Sequence, residues 1–165
     1  MTDSRPSWDS YFMAMAFLVA QRSPDFQTRH GAVIVDEKKR VIGMGYNGFP
    51  RGVDDSIMPN TRPNKYHVMC HADSNAILNS SRSDLSGCTM YITGKPCNNC
   101  LKLILQSGIR KIICGHVSSA CIDKDQETWN DVLLKQTGCD LYSIGSYDSI
   151  LQLLDNTRGY IMERC

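Results

Sequence analysis

From Cys70 to Cys114 the chain reads CHADSNAILNSSRSDLSGCTMYITGKPCNNCLKLILQSGIRKIIC. Ala72, Ala76, Ile77 and Leu78 recur at helical spacing and predict a helix over Cys70–Ser81. The short apolar run Cys88–Thr93 predicts a strand. Pro96–Ser107 predicts a second helix, with Leu101, Ile104 and Leu105 on one face and Gly108 at its end. Lys111–Cys114 is the next strand. Strands joined through a helix pair in parallel, because the crossover must carry the chain back to the starting edge.

The rest of the chain extends this pattern. Tyr11, Met15 and Leu18 recur at helical spacing and predict a first helix over Trp8–Gln21, capped by Ser7 or Asp9 and ended by Ser23-Pro24-Asp25. Gly31–Val35 and Val41–Tyr46 are short β-branched runs separated by the polar residues Asp36–Arg40, which predicts an antiparallel hairpin. Asn47–Lys65 is a long irregular stretch with Pro50, Pro59 and Pro63, of the kind that is usually functional or disordered. After the central stretch come a helix over Gln126–Gln136, a fifth strand over Asp140–Ile144 and a weak helix over Asp148–Leu154. Alternating helices and strands imply a layered α/β domain with a mixed sheet, a single domain over residues 1–165.

Composition narrows the function. The 165 residues carry 18 Lys plus Arg and 17 Asp plus Glu, a net charge of +1, which offers no broad basic face for nucleic acid or membrane surfaces. A small anionic ligand remains allowed, since it needs only a few local charges. No apolar run approaches the roughly 20 residues of a membrane span. Asp3, Trp8 and Asp9 ahead of the apolar segment Tyr11–Ala20 do not fit a secretory leader, so a cytoplasmic protein is expected. In that compartment the close pair Cys97 and Cys100, among 8 cysteines, points to metal binding or catalysis rather than a disulfide.

The chemistry lies at two helix starts. Cys97 and Cys100, three apart where a helix begins, can both face one ion, and the helix N-terminus favours thiolate over thiol. His71 supplies a third ligand, one short of a closed tetrahedral zinc site. A catalytic zinc keeps that vacancy for water and brings the water pKa toward about 7. Asp73, two residues after His71, offers a carboxylate to move protons. Cys-x-x-Cys alone would equally suit a redox pair or half of a structural zinc knuckle. The His-x-acid element and the preceding Pro96 turn the balance to catalytic zinc, in the arrangement known from zinc deaminases.

The chain resembles the deoxycytidylate (dCMP) deaminases of the cytidine deaminase superfamily. The likeness runs from about Ala16 to Gly138 and rests on Ala20-Gln21-Arg22-Ser23, Gly31–Val35, Gly45-Tyr46-Asn47-Gly48-Phe49-Pro50, Cys70–Ile77 and Pro96–Cys100 with Leu103-Ile104. Trp129-Asn130-Asp131-Val132-Leu133 is similar to phage members. The resemblance implies a three-layer α/β/α sandwich around a five-stranded mixed sheet. It implies one catalytic Zn2+ per chain on His71, Cys97 and Cys100, and hydrolysis of dCMP to dUMP and ammonia with Asp73 as proton carrier. It further implies activation by dCTP with Mg2+, inhibition by dTTP, and a homo-oligomer, with a hexamer favoured.

By the same resemblance Asn47 reaches the sugar 3′-hydroxyl, and Arg29 and Arg82 fall where polar or basic groups stand near the nucleotide; Lys95, just before Pro96 and the Cys97 helix start, is expected near the pocket, with Thr28, Ala72 and Thr93 as further contacts. As a bland alternative, Asn47 is a turn residue beside Gly48 and Arg82 a solvated helix end. Tyr46, Gly48 and Arg51 border the effector site. His67 and Cys70 stand near His71, but Thr61 and Met69 occupy the places of the further ligands found in relatives with a second zinc.

Two departures stand out. The family carries Glu where this chain has Asp73, which draws the carboxylate back by about 1.5 Å, and misplacing a catalytic group by about 1 Å can cost about 100-fold. Three readings compete: an active enzyme whose pocket accommodates Asp or works more slowly, an exchange introduced to trap a ligand, and a catalytically impaired nucleotide-binding regulator of the same fold. Second, Gly115–Cys121 lacks the Tyr that relatives often place there, and His116 is its candidate replacement.

Overall fold

The computed structural model describes residues 5–117 and 122–164. Helix α1 (Trp8–Ala20) is followed by strands β1 (Gly31–Val35) and β2 (Val41–Tyr46). Two short 3-10 turns, Asp55–Ile57 and Asn64–His67, break the long connection to α2 (Ala72–Leu78). Then come β3 (Thr89–Gly94), α3 (Asn98–Gln106), β4 (Lys111–Val117), α4 (Lys124–Thr137), β5 (Asp140–Ser143) and α5 (Asp148–Arg164). The sheet has five strands in the order β2-β1-β3-β4-β5. β1 runs antiparallel to both β2 and β3, whereas β3–β4 and β4–β5 are parallel. The expected mixed sheet and its parallel half are therefore present.

Strand periodicity divides the core in two. Along β1, Ala32 and Ile34 enter one apolar cluster and Val33 and Val35 the other. Met90 and Ile92 alternate with Tyr91 on β3, and Ile112 and Cys114 with Ile113 on β4. The first cluster packs under α2, α3 and α4, with Ala76, Leu101, Ile104 and Leu133. The second packs under α1 and α5, with Phe12, Met13, Ala16 and Ile150. Strands β1 and β3 are covered on both faces, so they read as continuous apolar runs.

Glycines in β2 set the height of α2 above the sheet. A Cβ on Gly45 would stand 2.3 Å from the Ala76 nitrogen, and one on Gly43 would stand 2.6 Å from the Ala76 oxygen. The helix therefore lies directly on the strand backbone. Asn75 Nδ2 donates to the Tyr46 carbonyl at 2.8 Å and fixes the helix rotation.

Three elements depart most from expectation. β4 continues past Cys114 to Val117, where the register with β3 shifts and Gly94 pairs with Val117. α2 is shorter than expected, ending at Leu78. α5 runs to Arg164 although apolar periodicity fades after Leu154, and its first turns are anchored by buried Ile150 and a 2.8 Å Ser10–Ser149 hydroxyl contact. The segment Ser118–Cys121, part of the stretch expected to lack a closing Tyr, lies outside the described residues. Among the described residues no helix is long and apolar enough to cross a membrane.

Candidate functional site

The two helix starts singled out from sequence meet at one point beside the first core cluster. His71 is the N-cap of α2 and Cys97 the N-cap of α3, both with extended backbones. His71 Nδ1 lies 3.4 Å from Cys97 Sγ and 3.3 Å from Cys100 Sγ. One donor atom from each of the three lies within 4.8 Å of the others, the two cysteines buried and His71 half-buried. Tetrahedral zinc with bonds near 2.1 Å to nitrogen and 2.3 Å to sulfur holds such atoms about 3.6 Å apart, so the set fits the ion closely.

Proton affinities in this cluster follow from its crowding. His71 is held above its usual value, chiefly by hydrogen bonding to Cys97. Cys100 is pushed up, first by its hydrogen bond to Cys97 and then by burial. Without a cation, three donors this close must keep protons between them. A divalent ion displaces those protons and turns the crowding into coordination.

Asp73 occupies the first turn of α2 and is 2% exposed. Its Oδ1 accepts from the Ser74 N–H at 3.0 Å. Burial pushes its carboxyl above the ordinary range, while Cys100, His71 and the Ser74 N–H pull it back. The Ser74 hydroxyl also lies 3.4 Å from Cys100 Sγ.

A cavity opens on this cluster. It is lined by His71, Ala72, Asp73, Cys97, Ile92 and Lys95. Two loops complete the lining, Asp25, Thr28 and His30 from the α1–β1 connection and Asn47, Arg62, Lys65, Tyr66 and Met69 from the β2–α2 connection. Asn47 is 5% exposed. Its Nδ2 donates to Asp25 Oδ2 and to the Thr28 carbonyl, each at 3.0 Å, with Met69 Sδ at 3.4 Å. Its Oδ1 accepts from the His30 N–H at 2.7 Å. Both amide hydrogens are thus committed, and only an Oδ1 lone pair is left for a ligand. Asn47 can accept from a ligand hydroxyl here but has no hydrogen left to donate.

Of the other residues expected from sequence, Thr28, Ala72 and Lys95 line this cavity. Thr93 is fully buried and is not in the lining, with Oγ1 accepting from the Gly31 N–H at 3.1 Å and lying 3.3 Å from His30 Nδ1. Arg29 and Arg82 are not brought to the cavity. Arg29 is exposed and reaches Gln21 Oε1 at 3.4 Å. Arg82 bonds Asp36 Oδ2 at 3.1 Å, on the β1–β2 hairpin, because the chain turns back after α2. Tyr46, Gly48 and Arg51 also lie outside the cavity lining. Gly48 pairs with Cys70, and Arg51 donates to Asn79 Oδ1 at 2.6 Å. At the end of β4 it is Tyr147, from the β5–α5 connection, whose hydroxyl accepts from the His116 N–H.

Sequence reasoning missed Arg62, Tyr66 and the pair Asp25 and Lys65. Arg62 donates from Nη2 to Thr28 Oγ1 at 2.7 Å and from Nε to the Tyr66 hydroxyl at 2.8 Å. All but Asp25 sit in the irregular stretch before α2, where no periodicity shows which way a side chain turns. The prolines and the length of that stretch were the only signal.

Residues 6–116 match the family model described as the cytidine and deoxycytidylate deaminase zinc-binding region. Human deoxycytidylate deaminase is 42% identical over 142 residues, which cover 82% of this chain and 79% of that protein. The deoxycytidylate deaminase of Mycobacterium phage D29 is 39% identical over 127 residues, 67% of this chain and 95% of that protein. Among solved structures, the apo dCMP deaminase of cyanophage S-TIM5 matches with a TM-score of 0.64 at 25% identity, covering 85% of this chain and 99% of that chain. The same cyanophage enzyme in complex with dCMP and dUMP gives 0.65 at 24% identity, covering 85% and 98%.

Proposed function

The chain belongs to the cytidine and deoxycytidylate deaminase family, and on that premise we propose that it hydrolyses dCMP to dUMP and ammonia. The observation that carries this is the meeting of His71, Cys97 and Cys100 in one donor cluster, with His71, Cys97 and Asp73 lining one cavity. His71, Cys97 and Cys100 would hold the zinc, which supplies Lewis acidity and brings the ionisation of water toward neutral pH. Asp73 takes a proton from the attacking water and delivers it to cytosine N3. Asp73 then carries the proton of the new C4 hydroxyl to the exocyclic amine, so that the C4–N bond breaks, ammonia leaves and the C4 oxygen becomes the carbonyl. Its buried position keeps bulk water from competing for these protons. Asn47 accepts from the sugar 3′-hydroxyl through its remaining lone pair. Thr28 and Ala72 complete the near contacts, and Lys95 and Arg62 are the cavity cations for a 5′-phosphate.

Asp73 favours a second possibility, a nucleotide-binding regulator with little turnover. Its carboxylate is one methylene short of the family Glu, and one oxygen is already turned to the Ser74 N–H. Ammonia release from dCMP by the zinc-loaded protein, compared with Asp73→Glu and Asp73→Asn, decides between them. We expect turnover within about tenfold of Asp73→Glu and none with Asp73→Asn. Silence of the native chain beside a fast Asp73→Glu variant makes it the regulator. Silence of both removes dCMP as substrate.

Regulation is part of the same proposal. dCTP with Mg2+ activates and dTTP inhibits at Tyr46, Gly48 and Arg51. This site has a direct route to the metal ligands. Gly48 exchanges backbone hydrogen bonds of 3.0 and 2.8 Å with Cys70, the residue before His71. A homohexamer in the cytoplasm, the host cytoplasm for a viral protein, completes the assignment. Rate measurements with each triphosphate and sedimentation of the purified chain test these points.

A further inference from the structure

Asp25 lies on the loop between α1 and β1, Lys65 on the loop between β2 and α2, and the two meet in the cavity wall. Lys65 Nζ stands 2.8 and 2.6 Å from the two Asp25 oxygens. The side chains are only 4% and 2% exposed. The deamination chemistry does not call on either group: their charges cancel, and neither is a metal ligand or the proton carrier. A buried ion pair is also a poor way simply to add stability, because desolvation offsets much of the Coulomb attraction. What the pair does supply is direction. A two-oxygen contact between a fixed carboxylate and an ammonium holds both loops in one relative position.

The remaining bonds of Asp25 show what is held. Oδ1 also accepts from the N–H groups of Gln27 at 2.8 Å and Thr28 at 3.0 Å, while Oδ2 accepts from Asn47 Nδ2. One carboxylate thus joins the α1–β1 loop, the Asn47 amide and the β2–α2 loop. Around it the two loops are stitched further. Asn60 Nδ2 donates to the Pro24 carbonyl at 2.6 Å, and the Arg62 N–H donates to Gln27 Oε1 at 2.8 Å. The same stretch carries Arg62, Tyr66 and Met69 into the cavity. Any shift of it moves the phosphate cation and turns the Asn47 amide together.

We infer that the Asp25–Lys65 ion pair is a positioning pair, which clamps residues 60–69 over the cavity and aims the Asn47 Oδ1 lone pair into it, so that it sets nucleotide affinity rather than the rate of the chemical step. This rests on dCMP being the substrate. The test compares the zinc-loaded protein with Lys65→Met and with the double variant Asp25→Leu, Lys65→Met, by dCMP kinetics, thermal unfolding and amide hydrogen exchange. Lys65→Met is expected to raise KM by about tenfold or more and leave kcat within about threefold, the mark of lost uniform binding. Amide protection should fall in residues 23–30 and 60–69 and persist in β1 and β3. The double variant leaves no buried charge unpaired but takes the acceptor from the Gln27, Thr28 and Asn47 N–H groups, so it should regain only part of the lost thermal stability and keep the raised KM.

A double variant with the native KM overturns the proposal, because any packed pair would then serve. So do equal losses of kcat and zinc content with protection lost through the whole sheet, since the pair would then be a general requirement of the fold. If the native protein and Asp73→Glu both leave dCMP unchanged, the substrate assignment fails by itself. The exchange pattern then still decides the clamp: selective loss at 23–30 and 60–69 sustains it, and uniform loss or no change overturns it.

Discussion

His71 and Cys97 occupy equivalent positions in two different helices: each is the N-cap, each has an extended backbone, and neither side chain caps its own helix. Both side chains turn instead toward each other, 3.4 Å apart from Nδ1 to Sγ. An N-cap that gives up its capping bond forfeits about 1 kcal/mol of helix stability. Both helices make that concession at the same place, where the two side chains meet each other instead of the helix ends.

Removing a donor should therefore remove the metal. Cys97→Ala and Cys100→Ala are each expected to purify with far less than one zinc per chain, as measured by atomic absorption. The native protein should melt higher with zinc than after chelation, by an amount that grows with zinc concentration. An ion that binds only the folded state adds about 2.7 kcal/mol at 100 times its dissociation constant. An unchanged melting temperature after verified zinc removal would contradict this.

Arg62 and Arg82 should separate by function. Arg62→Ala is expected to raise KM for dCMP by about tenfold while leaving deoxycytidine turnover unchanged, because only the nucleotide carries the phosphate. Arg82→Ala should leave both KM values unchanged, since Arg82 holds Asp36 on the hairpin. Steady-state kinetics on the two substrates reads this directly. The reverse result would move the phosphate to the far end of α2.

Gly45→Ala should be costly although the change is one methyl group. The added carbon would meet the Ala76 nitrogen at 2.3 Å, and backbone cannot give way as a flexible side chain does. Overpacking of this kind costs about 1–3 kcal/mol. Lifting α2 also lifts His71 and Asp73, so turnover should fall along with stability in urea unfolding.

Acid should loosen the clamp. Burial alone would raise the Asp25 carboxyl, but hydrogen bonds from Lys65 and from the Thr28 and Gln27 N–H groups hold it below its ordinary 3.8. A folded-state value below the unfolded one adds stability that is fully present above pH about 4 and is lost as pH falls through the lowered value. Unfolding of the native chain and of Asp25→Asn, compared from pH 7 down to 3, should give a gap that narrows only in the acid range. A gap that stays constant over that range would show that the carboxylate is not ionised in the folded state.

The order of elements was legible because the chemistry behind it is local. β-branched runs at Gly31–Val35 and Val41–Tyr46, helical spacing in Trp8–Ala20 and Asn98–Gln106, and Gly138 in the left-handed conformation after α4 all act within a few residues. Parallel pairing after residue 70 followed from helices between strands. The three candidate metal donors were legible for the same reason: each is tied by short spacing to a recognisable helix start.

Other features were set across long stretches of chain, and no spacing rule reaches that far. Arg82 is expected near the nucleotide, but the turn after α2 delivers it to Asp36, 46 positions earlier. Asn47 is expected at the sugar 3′-hydroxyl, but only the fold shows that both of its amide hydrogens are committed to Asp25 and Thr28. Asp25 and Lys65, 40 positions apart, carry no sign of one another in the sequence, and their pairing is forced only once burial removes water from both. Local patterns determined the elements and the donor set. The tertiary structure alone decided which charges share a dry wall, because the cost of burying a charge exists only after the chain has closed around it.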